Sequence, residues 1–137
     1  MPYRMIVSLD HRIVFSRVEG AVGLPEIEAF REELGKHPDF DESFDQLADL
    51  TRARSAPSYE ELRRIAQRDP FSAASRRAII VPDDVHFGTY RAYDSLLGDD
   101  RATVRPFRTL EEACEWIGVS VTEARTYLDE KQSRSAG

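Results

Sequence analysis

The stretch from Phe44 to Arg68, FDQLADLTRARSAPSYEELRRIAQR, constrains the fold more than any other part of the chain. Phe44, Leu47, Ala48 and Leu50 are available for burial without a clean two-residue alternation, the pattern of a central strand covered on both faces. A polar loop, Thr51 to Pro57, follows the strand. Ser58-Tyr59-Glu60-Glu61 then fits the capping box, in which a serine hydroxyl takes one orphan N–H and a glutamate three residues on reaches back for another. Leu62, Ile65 and Ala66 form the inward stripe of the helix, and Asp69-Pro70 ends it. A two-faced strand running into an amphipathic helix needs neighbouring strands beside it and helices above and below, which is an α/β layered domain.

The rest of the chain supplies those neighbours. Arg4 to Leu9 and Arg12 to Val18 are β-rich runs around Asp10-His11, a pair suited to a tight turn, and predict a hairpin. Leu24, Ile27, Phe30 and Leu34 recur at helical spacing behind Pro25, and that helix stops before Pro38 because the residue ahead of a proline is pushed out of the helical region. Arg77 to Val81 is a short β-branched strand closed by Pro82. Asp83 or Asp84 caps a third helix reaching about Leu97, with Val85, Ala92 and Leu96 on one stripe and Phe87, Tyr90 and Leu97 on its neighbour; Gly98 ends it. Thr103 to Arg108 is a fifth strand, placed at a sheet edge by Pro106, which cannot donate to a ladder. Thr109 and Ser120 begin two further helices with their own capping boxes, and the inward positions are Ala113, Cys114 and Ile117, then Val121, Ala124 and Leu128. The predicted order is β-β-α-β-α-β-α-β-α-α, a mixed, mostly parallel five-stranded sheet in one domain over residues 1–131, with a C-terminal tail at 132–137.

Acidic residues outnumber basic ones, 25 to 19, so the summed field opposes a nucleic-acid partner. The longest apolar run, Ala78 to Val81, is far short of the roughly 20 residues a membrane span needs, and MPYRMIVSLDHR lacks the pattern of a signal peptide. Cys114 is the single cysteine, which excludes an internal disulfide and fits a reducing, cytoplasmic compartment. His11, His37 and His86 stand far apart with no ligand spacing, so neither a metal nor another cofactor is expected.

The opening hairpin with its VEG ending, the FDQLADLT strand, the DPF segment before RRAIIVPDD, and the closing VRPFRTLEEACEWIG together resemble the STAS-type, SpoIIAA-like families of bacteria, over about Met1 to Gly118. The resemblance implies a mixed sheet with helices and, in some members, an anti-sigma-factor antagonist switched by phosphorylation. The family phosphosite lies in an Asp-Ser-Ser-Gly motif where the third strand turns into the second helix. This chain has Pro57-Ser58-Tyr59-Glu60 there, so Ser58 stands near the phosphosite while the preceding Asp, the second Ser and the Gly are missing.

Each candidate residue also has a plain explanation. Ser58 is a helix cap as well as a candidate phosphosite; a phosphate there would favour the helix dipole but lie beside Glu60 and Glu61. Arg52, Arg54, Arg63, Arg64 and Arg68 form either a surface for an acidic partner or the solvated face of the second helix and its loop. Asp83 and Asp84 are caps before they are a catalytic acid pair, and Cys114 on a buried stripe acts as a small apolar residue. Phe87, Tyr90 and Tyr93 give the third helix more aromatic surface than one stripe requires. No catalytic residue set is visible, and no enzyme is expected. The leading expectation is a regulatory protein-interaction module meeting a protein partner through Arg52, Arg54, Ser55, Ser58, Tyr59, Asp83 and Asp84. The second is a carrier or sensor that holds a small apolar ligand between the sheet and Phe87, Tyr90 and Tyr93.

Overall fold

The sheet is built outward from the hairpin. The computed structural model describes residues 3–99 and 101–129. Strands β1 (Tyr3–Ser8) and β2 (Ile13–Gly20) pair antiparallel, with Ser8 opposite Ile13. The connection is therefore Leu9 to Arg12, wider than the two-residue turn expected, and Arg12 takes the left-handed conformation (φ 56°). Three parallel strands follow on the far side of β2: β3 (Asp45–Ala53), β4 (Arg76–Ile80) and β5 (Thr103–Phe107), in the spatial order β1-β2-β3-β4-β5. Pro106 thus lies on an edge strand, where its missing N–H costs no ladder bond.

Strand β3 runs three residues beyond the expected end at Leu50, because β2 also runs on to Gly20 and offers a ladder: Glu19 pairs with Arg52 and Gly20 with Ala53. Thr51, Arg52 and Ala53 are therefore strand, and the true loop is Arg54 to Ser58.

Helices α1 (Leu24–Lys36), α2 (Tyr59–Ala66) and α3 (Asp84–Leu97) cover one face of the sheet; α4 (Leu110–Ile117) and α5 (Val121–Leu128) cover the other. Side chains alternate along each strand, so β3 sends Ala48 and Leu50 to the first face and Leu47 to the second. That is the two-sided burial its irregular apolar pattern predicts. Ser58 caps α2 with its hydroxyl accepting from the Glu61 N–H at 3.2 Å, while Glu61 Oε1 accepts the Ser58 N–H at 3.0 Å, closing the box. At Thr109 and Ser120 the hydroxyl accepts the N–H three residues on but donates to the glutamate carboxylate, leaving the box half formed.

One helical stripe differs from expectation. Val85 is 75% exposed, and the buried row of α3 is His86, Tyr90, Tyr93 and Leu97, with Phe87, Ala92 and Leu96 partly buried beside it. Asp83 is the residue that caps the helix, accepting the His86 N–H, and His86 points inward where Val85 points out. The expected tail at 132–137 lies outside the described residues.

Candidate functional site

Two regions compete for function. The first is a partly open cavity of about 100 Å³ between the sheet and helices α1, α2 and α3. Its helical walls are largely apolar, with Ile27 and Phe30 from α1, and Leu62 and Ile65 from α2. Its floor is not. The β3–β4 register sets Gln46 beside Arg77, and two residues along on the same face β2 adds Ser16 opposite Ala48. All of these line the cavity, together with Tyr90 and Tyr93. A sheet interior normally presents Val or Ile at such positions, so three polar side chains there require partners.

Arg77 finds its partner in Asp69, on the segment after α2. The Asp69 side chain is wholly buried and that of Arg77 is 10% exposed. Asp69 Oδ2 accepts from Arg77 Nη1, from the Tyr93 hydroxyl at 2.5 Å and from Arg31 Nη2 at 3.3 Å, while Oδ1 takes the Phe71 N–H at 2.9 Å. Burial, the largest influence on this carboxyl, pushes its pKa up; the Arg77 charge, the Tyr93 hydroxyl, the Phe71 amide and Arg31 together outweigh it and hold Asp69 below the ordinary carboxylate range. Arg31 also donates to the Ile65 carbonyl at 2.5 Å and the Arg68 carbonyl at 3.2 Å, placing a cation on the negative end of α2. The Arg77 guanidinium stacks over Phe71 at 4.4 Å. Burial raises the pKa of Tyr90 and of Tyr93, so both hydroxyls keep their protons at neutral pH.

Several donors on the floor remain unspent. Arg77 uses Nε on Gln46 Oε1 at 2.8 Å and Nη1 on Asp69, and its Nη2 has no acceptor among the described residues. The Gln46 amide nitrogen and the Ser16 and Tyr90 hydroxyls likewise have none. None of these atoms is sealed away from solvent, because the one closed-off side-chain nitrogen or oxygen without a partner among the described residues is His86 Nε2.

The second region is the surface at the carboxyl ends of β3 and β4. Here most of the expected partner-binding residues hold the fold together. Arg52 pairs with Glu19 at 2.8 Å; Ser55 accepts the Val22 N–H at 3.0 Å; Glu61 Oε2 takes the Leu24 N–H at 2.9 Å, so one carboxylate ties the starts of α1 and α2. Asp83 accepts from the His86 N–H at 2.9 Å and lies 2.8 Å from His86 Nδ1, while Asp84 pairs with Arg108 at 2.7 Å. The amide of Arg54 donates to Gly20 at 2.7 Å. Among these exposed charged side chains stand two large apolar ones, Tyr59 at 60% exposure and Val85 at 75%.

Neither region holds a metal-ligand set, for no cluster of three or more His, Cys, Asp or Glu occurs among the described residues. Cys114 is buried and burial raises its pKa, as a packed apolar residue requires. No helix among the described residues is long and apolar enough to cross a membrane.

No family model matches the sequence, and no curated protein is significantly similar to it. The similarity appears in structure. A crystal structure of an uncharacterised protein of the DUF3478 family from Shewanella loihica PV-4, described as having a SpoIIAA-like fold, superposes with a TM-score of 0.53, covering 84% of this chain and 91% of that one at 14% identity. This chain has a SpoIIAA-like fold. At that identity the likeness carries architecture and no activity. Within the SpoIIAA-like fold Ser58 stands where the resemblance puts it, between β3 and α2, with its hydroxyl committed to the cap.

Tyr90 and Tyr93 line the cavity as expected of ligand-binding residues, whereas Phe87 packs beside the core outside that lining. Sequence reasoning missed Ser16, Arg31, Gln46, Asp69 and Arg77. The available signal was the polar interruption of strands at Ser16 and Gln46, and an arginine opening the most apolar strand.

Proposed function

We propose that this protein is a non-catalytic carrier or sensor that binds a small, mainly apolar molecule in the cavity between the sheet and α1–α3. One observation carries the reading: a sheet floor tied to a buried ion cluster opens into a cavity where three of its polar groups, and the Tyr90 hydroxyl on α3, have no partner among the described residues. A floor serving stability alone would be filled by aliphatic side chains, because replacing a buried ion cluster by well-packed apolar groups is often neutral or stabilising. Native mass spectrometry of the gently purified protein tests this. A bound small molecule, absent from an Ala48→Leu variant whose larger side chain occupies the cavity, is the expected result; identical bare masses across all preparations and after incubation with ligand mixtures would remove the proposal.

A second reading rests on Tyr59 and Val85, exposed apolar side chains beginning α2 and α3 at one end of the sheet. They suit a protein partner docking at that end, with Arg52 and Arg54 at its rim. Tyr59→Ser with Val85→Ser should abolish capture of any such partner while leaving the thermal midpoint unchanged; undiminished capture would exclude the surface.

A further inference from the structure

Resting on the ligand-binding reading above, we infer that the molecule taken up carries a carboxylate, received by Arg77, Gln46, Ser16 and Tyr90. The chemistry of the floor is one-sided. Gln46 spends its carbonyl oxygen on Arg77 Nε, so what remains on its side is the amide N–H pair. Arg77 offers Nη2, which only donates, and the hydroxyls of Ser16 and Tyr90 can donate as well. A ligand that completes these groups must bring acceptors.

Charge favours an anionic acceptor over a neutral one. Two buried guanidiniums, Arg31 and Arg77 at 13% and 10% exposure, share one fully buried carboxylate, Asp69. Among the residues that line the cavity itself the acidic side chain is Glu26, held at the start of α1, where its Oε1 accepts the Gly23 N–H at 2.7 Å. The cluster of Arg31, Arg77 and Asp69 therefore carries one more positive charge than negative, and the charge on the sheet floor is that of Arg77. A carboxylate brings two charged acceptor oxygens, one for Arg77 Nη2 and one for a neighbouring N–H or O–H donor, where a hydroxyl brings a single neutral one. An amine would bring donors to donors and a cation to a cationic floor.

Size limits the rest of the molecule. The cavity is about 100 Å³, against roughly 150 Å³ for an apolar cavity that takes benzene, so a short chain fits and a fused ring system does not. Its tail would lie against Leu62, Ile65 and Ile79.

Hexanoate, hexan-1-ol and hexylamine separate head from tail, and titration of each into the isotopically labelled full chain, followed by amide chemical shifts, tests the inference. Hexanoate should bind at least ten-fold more tightly than hexan-1-ol, and hexylamine should not bind. Arg77→Met should erase the preference for the acid. Because that change also strips Asp69 of a partner, Tyr90→Phe and Ser16→Ala serve as the second arm: neither hydroxyl has a partner among the described residues, so both variants keep the wild-type melting temperature or exceed it while weakening hexanoate several-fold. Equal binding of acid and alcohol, or hexanoate affinity untouched in both hydroxyl variants, would overturn the carboxylate inference and leave the ligand-binding reading intact. Failure of all three compounds to shift any cavity residue would overturn both.

Discussion

The two faces of the sheet are built to different rules. Against α4 and α5 the floor is Phe15, Leu47, Ala78 and Ile80, closed by Ala113 and Ala124 at zero exposure; the ion pair of Arg17 with Asp49 at 3.2 Å is largely buried and runs out to the exposed Asp129 at 2.9 Å. Against α1, α2 and α3 the floor holds Ser16, Gln46 and Arg77, and the layer above them leaves a cavity. Both faces belong to the same five strands, so the difference does not come from sheet geometry. Neighbouring positions on one strand show the choice: Gln46 faces the cavity and Leu47 the dry side, each almost fully buried. A chain that needed only to fold would gain by making the faces alike, since replacing a buried ion cluster by well-packed apolar groups is often neutral or stabilising.

The sharpest break in this comparison is at Asp69. Asp69→Ala leaves Arg31 and Arg77 without the carboxylate they share, and loss of one partner from a buried ion pair costs about 3–5 kcal/mol. Urea unfolding should show a loss of that size, and a loss below 1 kcal/mol would mean the cluster is solvated and the face is not what it is described to be. The same carboxyl sets an acid limit. Its folded-state pKa lies below the ordinary value, so its stabilisation is present at neutral pH, begins to fade as the pH falls below about 4, and is gone once the pH has dropped through the depressed value. Unfolding midpoints followed from pH 6 to pH 2 should fall more steeply in the wild type than in Asp69→Asn, and parallel profiles would remove Asp69 from the acid response.

The dry face was legible in the sequence and the cavity face only half so. Capping boxes, the Ala113-Cys114-Ile117 stripe and Pro106 each act through local rules of period or backbone geometry, and those rules placed α4, α5 and the edge strand correctly. Asp69 looked like a helix terminator beside Pro70, and Arg77 like the polar end of a strand. Their pairing spans eight residues in sequence and brings in Arg31 from 46 residues before Arg77, a relation that exists only once α1 and α2 lie on the sheet. Val85 failed for a nearer reason: the buried row of α3 runs His86, Tyr90, Tyr93, Leu97, and Val85 stands one residue, about 100° around the helix, from His86.

A smaller and cleaner contrast lies on α3. Tyr93 donates to Asp69 and receives from Arg31 Nη2 at 2.7 Å, while the Tyr90 hydroxyl, one turn earlier on the same cavity wall, has no partner among the described residues. Tyr93→Phe should lose about 1.5–3 kcal/mol, the range for hydrogen bonds to charged groups, and Tyr90→Phe should stay within about 1 kcal/mol of the wild type or rise above it. Equal losses in thermal or urea unfolding would show that Tyr90 is bonded in solution and that the floor has fewer free groups than the geometry gives it.

The smallest effect comes from adding atoms instead of removing them. Ala113 on the dry face is wholly enclosed, and Ala113→Leu drives three more carbons into filled space, at a cost of about 1–3 kcal/mol. Ala48 is buried to nearly the same degree, at 3% exposure, but it lines the cavity, where those carbons meet empty volume. Ala48→Leu should therefore change stability by less than about 1 kcal/mol, and a gain would follow if the new methyl groups reach Leu62 and Ile65. Exposure alone cannot separate these two alanines; the space beyond each one can. Matching losses in the two variants would show that the cavity closes in solution, and the ligand-binding reading would then lose the volume on which it depends.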